Sequence, residues 1–394
     1  MPAAKVEAAT AEAPVSFRHE HESVLDKYKA AGTVVSSALQ SLIPKCVEGA
    51  NVLELCVEGD KLIEAATAGL YNKVKGLPKG VAFPTSLSIN SNLQNYNPLP
   101  SDKSATATTL AQNDLVKICL GAHIDGYAVV AAETIVVGST PIKEVRADLL
   151  SAAHYAAEAA LRVVKSGIKN WEITDAIKKV LAEYDSAGVK GVEGVLSHQH
   201  EQNSIEAKKG IVAFPSMSQR ADSDNAYLLE EGEVYGLNIL VTNGEKAFKT
   251  ADRSATTIFS KTSTTYNLKM KTSRATFSEI TKKAGPFPFT LRVLEEEAKA
   301  RMGVKECVDH NLLKPYELLT TDKASDLSAQ VFMTFAVTKT GMTRLSLAPT
   351  WFSEDKVQGT VTLSDELKAF VTKPLKAKPA KKKTTEKKAD EATA

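Results

Sequence analysis

The apolar positions of this chain repeat with two periods, and the same order of periods occurs twice. Val24, Leu25, Tyr28, Ala31, Val34, Val35, Ala38, Leu39 and Leu42 recur at steps of three and four. That spacing predicts an amphipathic helix, which Pro44 closes. A shorter helix carries Val52, Leu55, Leu62, Ile63 and Ala66 on its apolar face, with Gly59 as a soft point. Residues 80–100 read as strand and loop. Val116 to Val137 reads as two strands around Asp125-Gly126, a pair suited to the positive φ angles of a primed hairpin turn. A second long helix is predicted from about Ile142 to Val164. Gly167 and a shorter helix follow, the latter from about Glu172 to Tyr184 and capped by Asn170 or Thr174. Long helix, loop, short helix and strands thus occur at 24–70 and again at 142–184. A pseudo-twofold α/β (α+β) fold accounts for this repeat and places the site between the halves.

The remainder is less regular. Gly194 to His200 reads as a polar loop, 209–226 as a second loop and Glu233 to Val241 as a strand. At about 271–320 the character changes. Leu291, Leu294, Ala298, Met302 and Cys307 have helical spacing behind Pro286 and Pro288, which predicts a small helical insertion. Alternation returns at Leu327 to Val337 and near Leu345 to Leu347. Residues 1–18, rich in Ala, Glu, Pro and Thr, read as a flexible arm before a domain spanning 19–370, and 371–394 as a disordered basic tail.

Composition narrows the class. The 394 residues are 43% apolar and 24% charged, enough for a sizeable core and incompatible with global disorder. No apolar run approaches 18 residues, so no membrane span is expected; Tyr127 to Gly138 is broken by Glu133. The N-terminus lacks the basic-then-apolar order of a signal peptide. Cys46, Cys56, Cys119 and Cys307 are too few and scattered for a disulfide framework and fit a reducing compartment. The net charge of +2 hides an asymmetry: Lys373 to Lys388 holds eight lysines against Glu386, a net +7, leaving the body mildly acidic.

Catalytic spacings are missing: there is no HExxH, GxSxG, GxxxxGKS/T or CxxC. Of the seven histidines, His198 and His200 form an HxH pair. Two readings stand, an ordinary polar loop or a metal pair. His154 reads as a packed or surface helix residue and His310 as a helix-end residue.

Several strings are distinctive together: FPTSLSINSNLQNYNP (83–98), DLVKICLGAHIDGYAVVAAET (114–134), GVLSHQ (194–199), EEGEVYGLNILVTNGEKAFK (230–249), YNLKMKTSRATFSEI (266–280), PFTLRVLEEEAKARMGVKEC (288–307) and SAQVFMTFAV (328–337). They resemble the proliferation-associated, or curved-DNA-binding, protein family, to which the ErbB-receptor-binding proteins belong, over about residues 20–370. The resemblance implies the pseudo-symmetric pita-bread fold of type 2 methionine aminopeptidases. Those enzymes hold two metal ions with two aspartates, a histidine and two glutamates, hard donors suited to activating water. By the resemblance, the aspartate positions are Cys119 and Val130, the histidine is His198, and the glutamate positions are Asn238 and Phe332. The substrate-contacting histidine falls on Asn95. One ligand of five survives, which implies a pseudoenzyme with no metal and no cofactor. The resemblance leaves a vacant pocket able to take a peptide, making the chain a protein-interaction adaptor, or a residual peptidase using His198 and Cys119, as alternatives.

Two basic features point elsewhere. Lys381, Lys382, Lys383, Lys387 and Lys388 in the tail suit either phosphate contact or nuclear localisation. Lys269, Lys271, Arg274, Lys282 and Lys283 precede a charged helix with Lys299 and Arg301 and suit an RNA footprint. No base-reading motif is present, so recognition of shape and backbone is expected. The resemblance implies association with the large ribosomal subunit or structured RNA, DNA binding, and a place in ribosome biogenesis or translation. Cytoplasmic and nuclear or nucleolar residence, a monomer, and protein partners besides nucleic acid are expected.

Overall fold

The computed structural model describes residues 22–138, 140–349 and 351–375. The long periodic stretches form the helices their spacing predicts. Helix α1 (Glu22–Leu42) and α2 (Val52–Ala68) precede strand β1 (Lys79–Ile89) and the hairpin β2 (Leu115–Ile124) and β3 (Tyr127–Val136). Asp125 and Gly126 have φ of 55° and 79°, as a primed turn requires. In the second half come α3 (Glu144–Val163), α4 (Asn170–Glu183), β4 (Leu196–His200), β5 (Gly210–Val212) and β6 (Val234–Thr242). β7 (Ile258–Lys261), α5 (Lys271–Lys283), β8 (Phe289–Thr290), α6 (Glu297–Asp309) and β9 (Leu313–Tyr316) build the insertion. The chain then returns as β10 (Ser328–Thr338) and β11 (Gly341–Arg344) and ends in α7 (Asp365–Thr372).

The main sheet runs β1-β2-β3-β10-β6-β4-β5 and its pairs are antiparallel. Helices α1 and α2 cover β2 and β3 through one apolar cluster, and α3 and α4 cover β6 and β10 through another. The two helix pairs confirm the repeat read from the spacing. The halves meet at β3 and β10, where one backbone pair, Ala132 with Phe332, forms. Two threonines complete the seam symmetrically. The Thr134 hydroxyl accepts from Gln330 N at 2.7 Å and donates to its carbonyl at 2.8 Å. The Thr334 hydroxyl accepts from Val130 N at 3.1 Å and donates to its carbonyl at 2.7 Å.

Five expectations change. The 271–320 insertion is not purely helical: β8-β7-β9 form a three-stranded sheet beneath α5 and α6, on strands of two to four residues, too short for alternation to register. The His198–His200 segment is strand, not loop. Asn170 is the first helical residue, and its side chain anchors Tyr227 N and the carbonyls of Gly210 and Asn225 rather than capping α4. Gly59 is a close-packing position: a Cβ there would lie 2.5 Å from Thr85. The folded body also continues past 370, since Val371 is buried and Leu375 packs on the α3 cluster. The 1–18 arm and Lys381, Lys382, Lys383, Lys387 and Lys388 lie outside the described residues.

Candidate functional site

The sheet face turned away from the helices carries the positions singled out by the sequence. Alternation along β2 places Cys119 on this face, and Val130 on β3 sits opposite Gly121. Phe332 on β10 lies between Ala132 and Asn238. Cys119, Val130 and Phe332 pack together with Phe83, Ile205, Ile258 and Tyr316. Phe83 and Tyr316 meet edge to face at 5.6 Å between ring centroids. Side chains of the insertion thus close over these positions.

Asn238 is buried in an amide chain. Its Oδ1 accepts from Gln330 Nε2 at 2.8 Å and its Nδ2 donates to Gln94 Oε1 at 3.2 Å. Its backbone N–H donates to Ser197 Oγ at 2.8 Å. Asn95, at a φ of 70°, donates to the Glu317 carbonyl at 3.0 Å and so braces the chain beside Tyr316. His198 pairs with Gly236 across β4 and β6, and burial holds its imidazole below the usual range. Near it stand Glu206 and Lys314, which form an ion pair, and Tyr316, whose ionisation burial and the Glu206 carboxylate suppress. His200 is buried, donates from Nδ1 to the Ala128 carbonyl at 3.1 Å, and is pushed down to about 4 by desolvation. A Cβ on Gly236 would fall within 2.5 Å of His200 Nε2 and 2.7 Å of the Phe332 ring, so only glycine leaves room for both.

This donor set does not fit a two-metal centre. Val130 and Phe332 offer no donor atom, the Asn238 oxygen is committed to Gln330, and burial pushes the Cys119 thiol up to about 12. Among the described residues no three His, Cys, Asp or Glu side chains are arranged to hold a metal ion. The sequence brought Cys119, Val130, His198, Asn238 and Phe332 to one face. It missed Glu206 and Lys314, whose charges act on His198, and Tyr316, which packs with Cys119 and Phe332; all three lie outside the quoted strings.

The basic string divides. Arg274 donates to the Leu268 and Lys269 carbonyls at 2.9 and 2.7 Å, and Lys283 pairs with Glu279 at 2.9 Å and Glu295 at 3.1 Å. Both therefore serve the fold. Lys269, Lys271 and Lys282 are exposed. Lys271 and Lys282 lie eleven residues apart, three turns, on one face of α5 and about 16 Å apart along its axis. Ala275 and Ser278 are exposed between them. The exposed side of α6 adds Lys299, Met302 and Lys305. The two helices cross closely at Gly303, where a Cβ would meet Thr276.

The model of metallopeptidase family M24 matches residues 26–251. The curved DNA-binding protein of Schizosaccharomyces pombe is 40% identical over 93% of this chain and 94% of its own. Proliferation-associated protein A of Dictyostelium discoideum is 37% identical over 93% and 92%. Among solved structures, a thermophilic Arx1 superposes with a TM-score of 0.80 at 31% identity, over 90% of this chain and 99% of that one. A methionine aminopeptidase from Thermotoga maritima shares the fold at a TM-score of 0.55 and 16% identity, over 84% and 99%. The repeated helix pairs, the antiparallel sheet and these similarities agree: the chain has the pita-bread fold and belongs to metallopeptidase family M24, in the branch of the curved DNA-binding and proliferation-associated proteins.

Proposed function

We propose that this chain is a non-catalytic member of family M24, lacking four of the five metal ligands, that binds structured RNA of the large ribosomal subunit through the exposed basic face of its insertion. The observation that carries the reading is the packing of Cys119, Val130 and Phe332 into one apolar cluster beside the Asn238 amide chain. Apolar side chains stand at two of the ligand positions, so a water-activating metal pair would lack its donors there. The same packing weighs against the adaptor with a vacant pocket and against a residual peptidase. Lys271 and Lys282, with Lys299 and Lys305 on the neighbouring helix, support a shape-reading contact to phosphates. The name of the S. pombe relative makes DNA a second ligand to test. The tail adds charge without specificity, and the protein works as a monomer in cytoplasm and nucleus, including the nucleolus.

The test is binding of the purified chain to large ribosomal subunits across a salt series. Lys271→Glu/Lys282→Glu is expected to weaken binding and to lower the salt slope by about one for each phosphate no longer neutralised. A chain ending at Leu375 is expected to bind with unchanged site but weaker salt response. Binding untouched by the double reversal overturns the surface. Stoichiometric metal lost with His198→Ala, together with peptide turnover, overturns the non-catalytic reading.

A further inference from the structure

On the helical side of the sheet, remote from the positions above, a cleft of about 450 Å³ opens between the end of α1 and the segment after β11. Its walls are apolar, from Ile43, Pro44, Leu347 and the Trp351 indole, with Gln40 on the rim. One acid, Glu133 of β3, faces into it. Its Oε2 accepts from Trp351 Nε1 at 2.9 Å, and burial raises the affinity of this carboxyl for a proton. Arg344, whose charge acts on Glu133, is already held by Glu158 at 2.8 Å. A carboxylate at the base of apolar and indole walls suits a cation on an apolar stem, which is a lysine side chain.

We propose that this cleft holds a lysine of the chain's own Lys381–Lys383 run, so that the folded body competes with polyanions for the basic tail. The exit point of the tail supports the choice. Leu375 packs against the cluster on α3, and the Lys373 carbonyl accepts from Arg162 at 2.9 Å. Arg162 pairs with Glu158, which pairs with Arg344, so a line of ion pairs runs from the end of the described chain toward Glu133. Ala153 of α3 lies beside Trp351, and nine residues of helix separate it from Arg162, about 14 Å. Lys381 stands six residues past Leu375, an extended reach of about 20 Å, and Lys383 about 26 Å. The tail thus leaves the folded body on the side of Trp351 and carries the charge that Glu133 lacks a partner for, and its first run of consecutive lysines is Lys381–Lys383.

The readout needs no nucleic acid: limited trypsin cleavage of the full chain after Lys381–Lys383. A tail docked about four-fifths of the time is cleaved roughly fivefold more slowly than a released one. Glu133→Gln and Gln40→Lys are both expected to raise the rate about fivefold while cleavage within the folded body stays unchanged. Gln40→Lys keeps the Glu133–Trp351 bond and carries the test alone if Glu133→Gln unfolds. Equal tail cleavage in the wild type and in Gln40→Lys overturns the proposal. A synthetic peptide of residues 376–388 that binds the wild type without any such protection also overturns it, and gives the cleft to a basic segment of another protein.

Discussion

Thr134 and Thr334 make the seam between the two halves testable. Each hydroxyl bridges both the N–H and the carbonyl of a residue on the facing strand, and the two threonines are 2% and 0% exposed. Valine has the same shape. Thr334→Val therefore keeps the packing but orphans the Val130 N–H and carbonyl, which no water can reach. At about 1–3 kcal/mol for each of the two orphaned groups, the cost is about 2–6 kcal/mol, a large share of a typical folding free energy. Thr134→Val is expected to cost the same through Gln330. The sites lie about 13 Å apart along the strands, so the two costs should add. Thr334→Ser is the control. It keeps the hydroxyl and loses a methyl, about 1 kcal/mol. Equilibrium denaturant unfolding gives the free energies. The expected order is wild type, then Ser, then Val. If the Val variant matches the wild type within about 0.5 kcal/mol, or Ser costs more than Val, packing rather than the hydroxyl bridges joins the halves and the reasoning fails.

Two further outcomes follow from buried charge. Burial pushes His123, His154 and His200 each from 6.5 down to about 4, so the unfolded chain binds protons that the native state refuses. Their stability is present in full above pH 6.5 and is lost as pH falls through 6.5 toward 4. His154→Phe, whose ring can stack on Phe352 as the imidazole does, should flatten that acid limb by up to ~1.4 kcal/mol per pH unit in unfolding free energy; an unchanged slope refutes the assignment. The insertion is clamped to α2 by Asp60, which holds Arg292 at 2.7 Å while Arg292 also donates to Asn97 Oδ1 at 2.6 Å. Asp60→Ala leaves a buried guanidinium short of its counter-charge, at a cost of about 3–5 kcal/mol, and hydrogen exchange should quicken in α5 and α6 before it does in α3.

What the sequence disclosed follows the range of each signal. Helices α1 to α4 were legible because more than two turns of consistent spacing outvote single exceptions. The hairpin was legible because one dipeptide, Asp125-Gly126, carries the geometry. The insertion sheet was not, since Phe289–Thr290 is a strand of two residues that owes its existence to β7 rather than to its own pattern. The role of the Asn170 side chain was hidden because its partners, Tyr227 and Asn225, come from more than fifty residues away. The five positions on the sheet face were legible only through family resemblance. Residue type alone gives no reason to group a cysteine, a valine and a phenylalanine with an asparagine and a histidine. The acid and base beside His198 were invisible because Glu206 and Lys314 are separated by 108 residues.

The fate of the metal-ligand positions bears on the proposed role of the insertion. Four carboxylates without a metal would repel one another and stay solvated, holding the sheet face open. Val130, Phe332 and the neutral Asn238 remove that repulsion and let the face dry. The residues that then pack on it include Ile258 of β7 and Tyr316 of β9, the two long strands of the insertion sheet. On the proposed reading, the substitutions that end catalysis are therefore the ones that fasten the insertion to the body. The Asp60–Arg292–Asn97 clamp fastens its other side. A surface that reads RNA shape needs its charges at fixed separations, because an RNA helix offers phosphates at fixed separations. Lys271 and Lys282 owe their spacing to α5, and α5 packs through Ile280 into a second apolar cluster with Phe259 of β7 and Leu313 of β9, the strands whose Ile258 and Tyr316 enter the cluster on the sheet face. On the proposed reading, loss of the one chemistry and the seating of the other surface are therefore linked through β7 and β9, which contribute to both clusters.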